Sequence, residues 1–101
     1  MSYKLKDEQI DQLFEAVLQL QNIDECYAFF TDLCTISEIK SMAQRFHVAT
    51  LLNNGAKYLD ICETTGVSTA TISRVNRALE YGAEVYHTVF KRLAEKNKKE
   101  S

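Results

Sequence analysis

The residues with the most chemical potential lie between positions 57 and 77. Lys57 precedes an apolar stretch, and further on the chain reads Ser68-Thr-Ala-Thr-Ile-Ser-Arg-Val-Asn-Arg77. Wound as a helix, that stretch puts Thr69, Ala70, Ser73, Arg74 and Arg77 on one face. Short hydroxyl and methyl side chains let a helix approach base edges in a major groove, and guanidinium groups bind phosphate or guanine. The opposite face carries Ile72, Val75 and Leu79 at i, i+3 and i+7, the spacing of an anchor to a core.

A reading face of this kind needs a second helix to hold it, and Tyr58-Leu-Asp-Ile-Cys-Glu-Thr-Thr65 supplies one. Ile61 and Val67 are placed to fill the angle between the two helices, and Cys62 is small enough for a close crossing. Gly66 suits a tight turn, and Ser68 is an N-cap. Residues 58–77 therefore read as a helix-turn-helix, with double-stranded DNA as the expected partner and Lys57, Thr69, Ala70, Ser73, Arg74 and Arg77 as its contacts. The same corner also serves proteins that bind other proteins, so an interaction module without direct DNA contact is the alternative.

Other chemistries lack their parts. Asp7 with Asp11, and Asp24 with Glu25, are paired carboxylates, but they fall at expected helix starts, where the helix dipole accounts for them. Ser73 has no adjacent histidine, and His47 has no partner that would make it a base, so no catalytic residue is expected. The three cysteines, Cys26, Cys34 and Cys62, form no C-x-x-C pair, and His47 and His87 are the only histidines. No metal site is expected; the cysteines read as small core hydrophobes in a reduced, cytoplasmic setting. The aromatics of 27–30 read as core or interface residues.

The net charge of −2 is unevenly spread. Residues 1–52 hold four Lys/Arg against eight Asp/Glu, and residues 53–101 hold eight against six. The basic excess thus accompanies the motif, as a local phosphate-contact surface requires. The tail, Lys96-Asn-Lys-Lys-Glu-Ser101, reads as a solvated helix end. No apolar run approaches the roughly 18 residues of a membrane span, and Met1-Ser-Tyr-Lys-Leu-Lys6 has no apolar region of a signal peptide.

With no proline and three glycines, an all-α chain is expected, a single domain over residues 1–101. Its first helix should run from about Asp7 to Gln21, with Ile10, Leu13, Phe14, Val17 and Leu18 as one stripe. A second should follow a break at Asn22-Ile23. Thr35-Ile-Ser-Glu38 has capping-box spacing and should open a third helix that ends at Asn53-Asn-Gly55, with Ile39, Met42, Ala43, Phe46, Ala49 and Leu52 inward. Helices over 57–65, 69–81 and about 83–96 should complete six. Gly82 would stop the fifth, and Val85, Val89, Phe90 and Leu93 would form the face of the last. A chain this short has surface left to bury, and dimerisation is a common remedy.

Over roughly residues 30–95 the chain resembles the Trp repressor superfamily, and within it the YerC/YecD branch. The resemblance is carried by Leu33-Cys-Thr35, Gln44-Arg45, Leu51-Leu52, Gly55 and the whole of 58–77. It implies an intertwined, six-helix homodimer, with residues of about 7–53 as the dimerisation helices, that acts as a transcriptional repressor on a pseudo-palindromic operator. It also implies a small-molecule corepressor pocket, formed by Thr35, Arg45, Phe46, Thr71, Arg74 and Val75. Arg45 and Arg74 match two arginines that sandwich an indole in the tryptophan-binding member, and Thr35 and Thr71 match threonines beside it. Three positions depart from that member: Val75 replaces a glycine, Ala78 a serine and Phe46 a valine. The added bulk should fill the pocket, so L-tryptophan is not the expected corepressor. On the DNA side, Leu59 and Cys62 stand where that member has an arginine and a lysine, so a different operator is expected.

Overall fold

Helix starts in this chain are set by side chains that satisfy the first free amides. In the computed structural model, which describes residues 6–82 and 84–100 (the side chain of Glu100 excepted), Asp7 accepts from the Ile10 amide at 2.8 Å and opens α1, Glu8–Val17. Asn22 accepts from the Glu25 amide at 2.8 Å and opens α2, Ile23–Leu33; the Glu25 carboxylate accepts in turn from the Gln21 amide at 2.9 Å. Thr35 and Glu38 form the expected reciprocal box at the start of α3, Ile36–Asn53, with distances of 2.8 and 3.1 Å. The Thr35 backbone amide, and then its hydroxyl, hold the Glu38 carboxyl below its ordinary value. The remaining helices are α4, Tyr58–Thr65, α5, Thr69–Tyr81, and α6, Val85–Glu100. No strand occurs among the described residues, and no helix there is long and apolar enough to cross a membrane. The readings of Met1–Leu5, and of Ala83 as the first residue of the last helix, lie outside the described residues, as does Ser101.

The chain divides into two compact units, Met1–Ile39 and Lys40–Ser101. In the first, no described residue is buried, and Phe14, Leu18, Ile23, Tyr27 and Leu33 are all exposed. The first helix stops four residues short of the expected Gln21. The amides of Gln19 and Leu20 turn to carbonyls three residues back, on Ala16 and Val17, and the Asn22 cap then restarts the helix. Cys26 is exposed, contrary to its reading as a core residue, while Cys34 and Cys62 are half-buried; all three are free thiols.

The second unit holds the core: Val48, Ala49, Ile61, Val67, Ile72, Val75 and Leu79 are buried, and Leu51, Leu52, Tyr58, Cys62, Tyr86 and Phe90 pack around the cluster. Two expected faces are corrected here. On α3 the expected Ala49 and Leu52 do meet the core, together with Val48 and Leu51, whereas Met42 and Ala43 are exposed. On α6 the expected Phe90 packs inward together with Tyr86 and Val89 is half-buried, whereas Val85 and Leu93 are exposed. Both helices carry more apolar residues than one face accommodates, so periodicity alone did not choose between faces. The last helix also continues past Lys96 to Glu100.

Gly55 closes α3 in the left-handed region, φ +88°. The Ala56 amide donates to the Leu51 carbonyl and the Gly55 amide to that of Leu52, both at 3.0 Å, which is a Schellman closure. Between α5 and α6, Glu84 takes φ +65°, and its carbonyl accepts from the amides of His87 and Thr88. His87 Nε2 lies 3.0 Å from the Leu79 carbonyl. A carbonyl only accepts, so Nε2 carries the proton and ties α6 to the last turns of α5.

Candidate nucleic-acid interface

The motif is assembled from the turn outward. Thr65, the last residue of α4, donates its hydroxyl to the Ile61 carbonyl at 2.6 Å and accepts from the Val67 amide at 3.1 Å. One side chain thereby joins the end of the first helix to the turn. Gly66 follows at φ +74°, with its amide on the Cys62 carbonyl. A Cβ added there would meet nothing within 4 Å, so glycine is favoured by backbone conformation and not by lack of room. Ser68 accepts from the Thr71 amide at 3.3 Å and caps α5. Ile61, Val67, Ile72 and Val75 close the angle between the helices as a buried cluster. The expected turn glycine, cap and inward residues therefore all take their places. Thr65 was missed, because a threonine at a helix end carries no distinctive sequence signal.

With 72, 75 and 79 facing inward, Thr69, Ala70, Ser73, Arg74 and Arg77 share the exposed side of α5. Lys57 is the exposed N-cap residue of α4 and makes no side-chain cap bond. Among the described residues, Lys57, Arg74 and Arg77 enter no hydrogen bond or ion pair with the chain, so their donors face solvent. The unit around them, residues 40–101, has ten Lys/Arg against six Asp/Glu, a balance of +4. Residues 1–39 have two against eight, a balance of −6. The overall deficit of positive charge thus lies outside the helix-turn-helix unit, which is itself basic.

The residues matched to a corepressor pocket take the following places. Val75 is 4% exposed within the core cluster. Phe46 packs with Tyr86 and Phe90, its ring centroid 6.4 and 5.5 Å from theirs, an aromatic group that sequence spacing did not disclose. The Thr71 hydroxyl lies 3.2 Å from that of Ser68, within the cap, and Thr35 caps α3 in the first unit. Arg45 and Arg74 are exposed in the second unit. Among the described residues, no group of three or more His, Cys, Asp or Glu is arranged to hold a metal ion.

These features recur in known proteins. The model of the family described as Trp repressor protein matches residues 8–94. The YerC protein of Bacillus subtilis (strain 168) is 51% identical over 92 residues, covering 91% of this chain and 88% of that protein. Among solved structures, a TrpR-like protein from Eubacterium eligens ATCC 27750 superposes with a TM-score of 0.85 at 57% identity, over 90% of this chain and 94% of that one. A protein from Staphylococcus aureus, described as a candidate Trp repressor, also reaches a TM-score of 0.85, at 46% identity, covering 90% of this chain and 91% of that one. The match across nearly the whole length, with the six-helix all-α fold and its helix-turn-helix, establishes that the chain belongs to the Trp repressor family.

Proposed function

We propose that the chain is a cytoplasmic, sequence-specific DNA-binding regulator that acts over residues 1–101 as a single functional domain. It works as a homodimer and represses by occupying a pseudo-palindromic operator. The observation that carries this reading is the exposed face of α5, where three short side chains precede two arginines with no protein partner, all mounted on a buried helix-turn-helix core. Short residues at the N-terminal end of a reading helix allow close approach to base edges, and the cations behind them reach the flanking phosphates. The first unit supports the dimer. It has no buried described residue and several exposed large apolar ones, and a segment of this size rarely stands without a partner surface. Two-fold symmetry would set two reading helices about 34 Å apart, one turn of duplex.

Arg77→Ala tests the DNA reading. Affinity for a selected operator should fall, and the slope of log K against log salt should become shallower by about 0.9, the loss of one neutralised phosphate. Unchanged affinity and slope would instead favour a protein-interaction role for the motif.

The same proposal holds that L-tryptophan is not the corepressor. Val75 belongs to the packed core and Phe46 to the aromatic group with Tyr86 and Phe90, so the added bulk at both positions is already committed to packing. Calorimetric titration with L-tryptophan should give no heat of saturable binding; a micromolar Kd would refute this part.

A further inference from the structure

We propose that the operator half-site is read mainly through thymine methyl groups, contacted by Leu59, Thr69 and Ala70. This rests on the DNA-binding reading above and specifies the chemistry it would recognise. The first two turns of α5 present Thr69, Ala70 and Ser73 to solvent. None is an amide that could pair bidentately with adenine, and none is a carboxylate that could accept from cytosine. The nearest amide on the helix, Asn76, is half-buried, and the Thr71 hydroxyl is engaged with Ser68. Arg74 and Arg77 lie further along, where a helix entering a groove by its N-terminal end brings cations to the backbone. What remains at the base-proximal end is the hydroxyls of Thr69 and Ser73, which both donate and accept and so discriminate little between bases, and two methyl groups, the γ-methyl of Thr69 and the β-methyl of Ala70.

Leu59 adds to them. It stands in the first turn of α4, two residues after Lys57, and is 69% exposed while Ile61 is fully buried. In a helix-turn-helix the first helix crosses the sugar–phosphate backbone beside the groove that the second helix enters. Asp60, Glu63 and Thr64 are also exposed on α4, and the two acidic groups keep the body of the helix off the phosphates. Its approach is therefore through Lys57 and Leu59 at the N-terminal end. An isobutyl group there offers no hydrogen bond. The apolar group that a base pair displays in the major groove is the thymine C5 methyl.

The test uses the full chain and a site recovered from random duplex DNA at low salt. Each thymine of the half-site is replaced by uracil, which removes the methyl and leaves base pairing intact. Affinity should fall about three- to fivefold for each contacted thymine, the contribution of one buried methyl. In Leu59→Ala the penalty at one thymine should shrink towards unity, with the salt slope unchanged. Uracil duplexes bound as tightly as thymine duplexes by the native protein would overturn the proposal while leaving DNA binding intact. A uracil penalty at every position undiminished in Leu59→Ala would overturn the assignment to Leu59. Absence of any enriched site at low salt would instead remove the DNA-binding reading itself.

Discussion

Replacing Ile72 by alanine should cost the helix-turn-helix unit about 2–5 kcal/mol of stability, enough to threaten its fold at ambient temperature. Ile72 is fully buried, in a cluster with Val48, Ala49, Ile61, Val67 and Val75. Among the described residues it is also one of the largest completely enclosed side chains, with Ile61 and Val48. A unit of roughly 60 residues has a total stability of about 3–9 kcal/mol, so the truncation consumes much or all of it. The loss includes both transfer free energy and the cavity left between α4 and α5, which contact one another through this cluster. Ile72→Val, which removes one methyl, should cost only about 0.5–1.5 kcal/mol. Ser73→Ala, on the exposed side of the same helix, should stay within about 0.5 kcal/mol. Urea unfolding followed by circular dichroism, at one fixed protein concentration because the proposed dimer would contribute to the midpoint, checks the order of the three. A midpoint for Ile72→Ala equal to that of Ile72→Val would mean that the helix angle is not held by this cluster.

A charge placed on the apolar surface of the first unit should abolish dimerisation and, with it, most of the DNA affinity. Phe14 and Leu33 are 55% and 52% exposed, and neither α1 nor α2 contains a buried residue. Under the proposed dimer these side chains are covered by the second copy, so Phe14→Glu would place a carboxylate in an apolar interface without a counter-ion, a burial costing several kcal/mol. Sedimentation should show a monomer at micromolar concentration for Phe14→Glu and a dimer for the native chain. Tethering two reading heads makes the second contact intramolecular, and its loss should weaken operator binding by about 10²–10⁴-fold. Gln12→Glu, an equal charge change at an exposed polar position of the same helix, should leave both measurements nearly unchanged. A native chain that sediments as a monomer while binding the operator tightly would defeat the dimer proposal.

The sequence was most legible where the signals are local. Thr35 with Glu38 and Ser68 with Thr71 act over three residues, and Gly55 and Gly66 meet a backbone requirement at a single position. These placed the starts of α3 and α5 and the turn of the motif correctly. The end of α1 was less legible. The apolar stripe continues through Leu18, but the Asn22 cap, whose neighbour Gln21 also donates to Glu25, claims the chain for a new helix. The Phe46, Tyr86 and Phe90 group was not legible at all, because it joins residues some forty positions apart. Thr65 was missed because its two bonds depend on the turn geometry that they stabilise.

By itself, then, the amino-acid sequence determined the helix-turn-helix, its turn and its exposed small-residue and arginine face, since three- and four-residue periodicity together with short-range capping is sufficient for them. Tertiary structure decided which of several apolar faces on α3 and α6 became core. It committed Phe46 to the aromatic group and Val75 to the buried cluster, and left no residue of α1 or α2 buried in the single chain. Those outcomes depend on which surfaces meet across long sequence separations, and helical periodicity restricts that choice without making it.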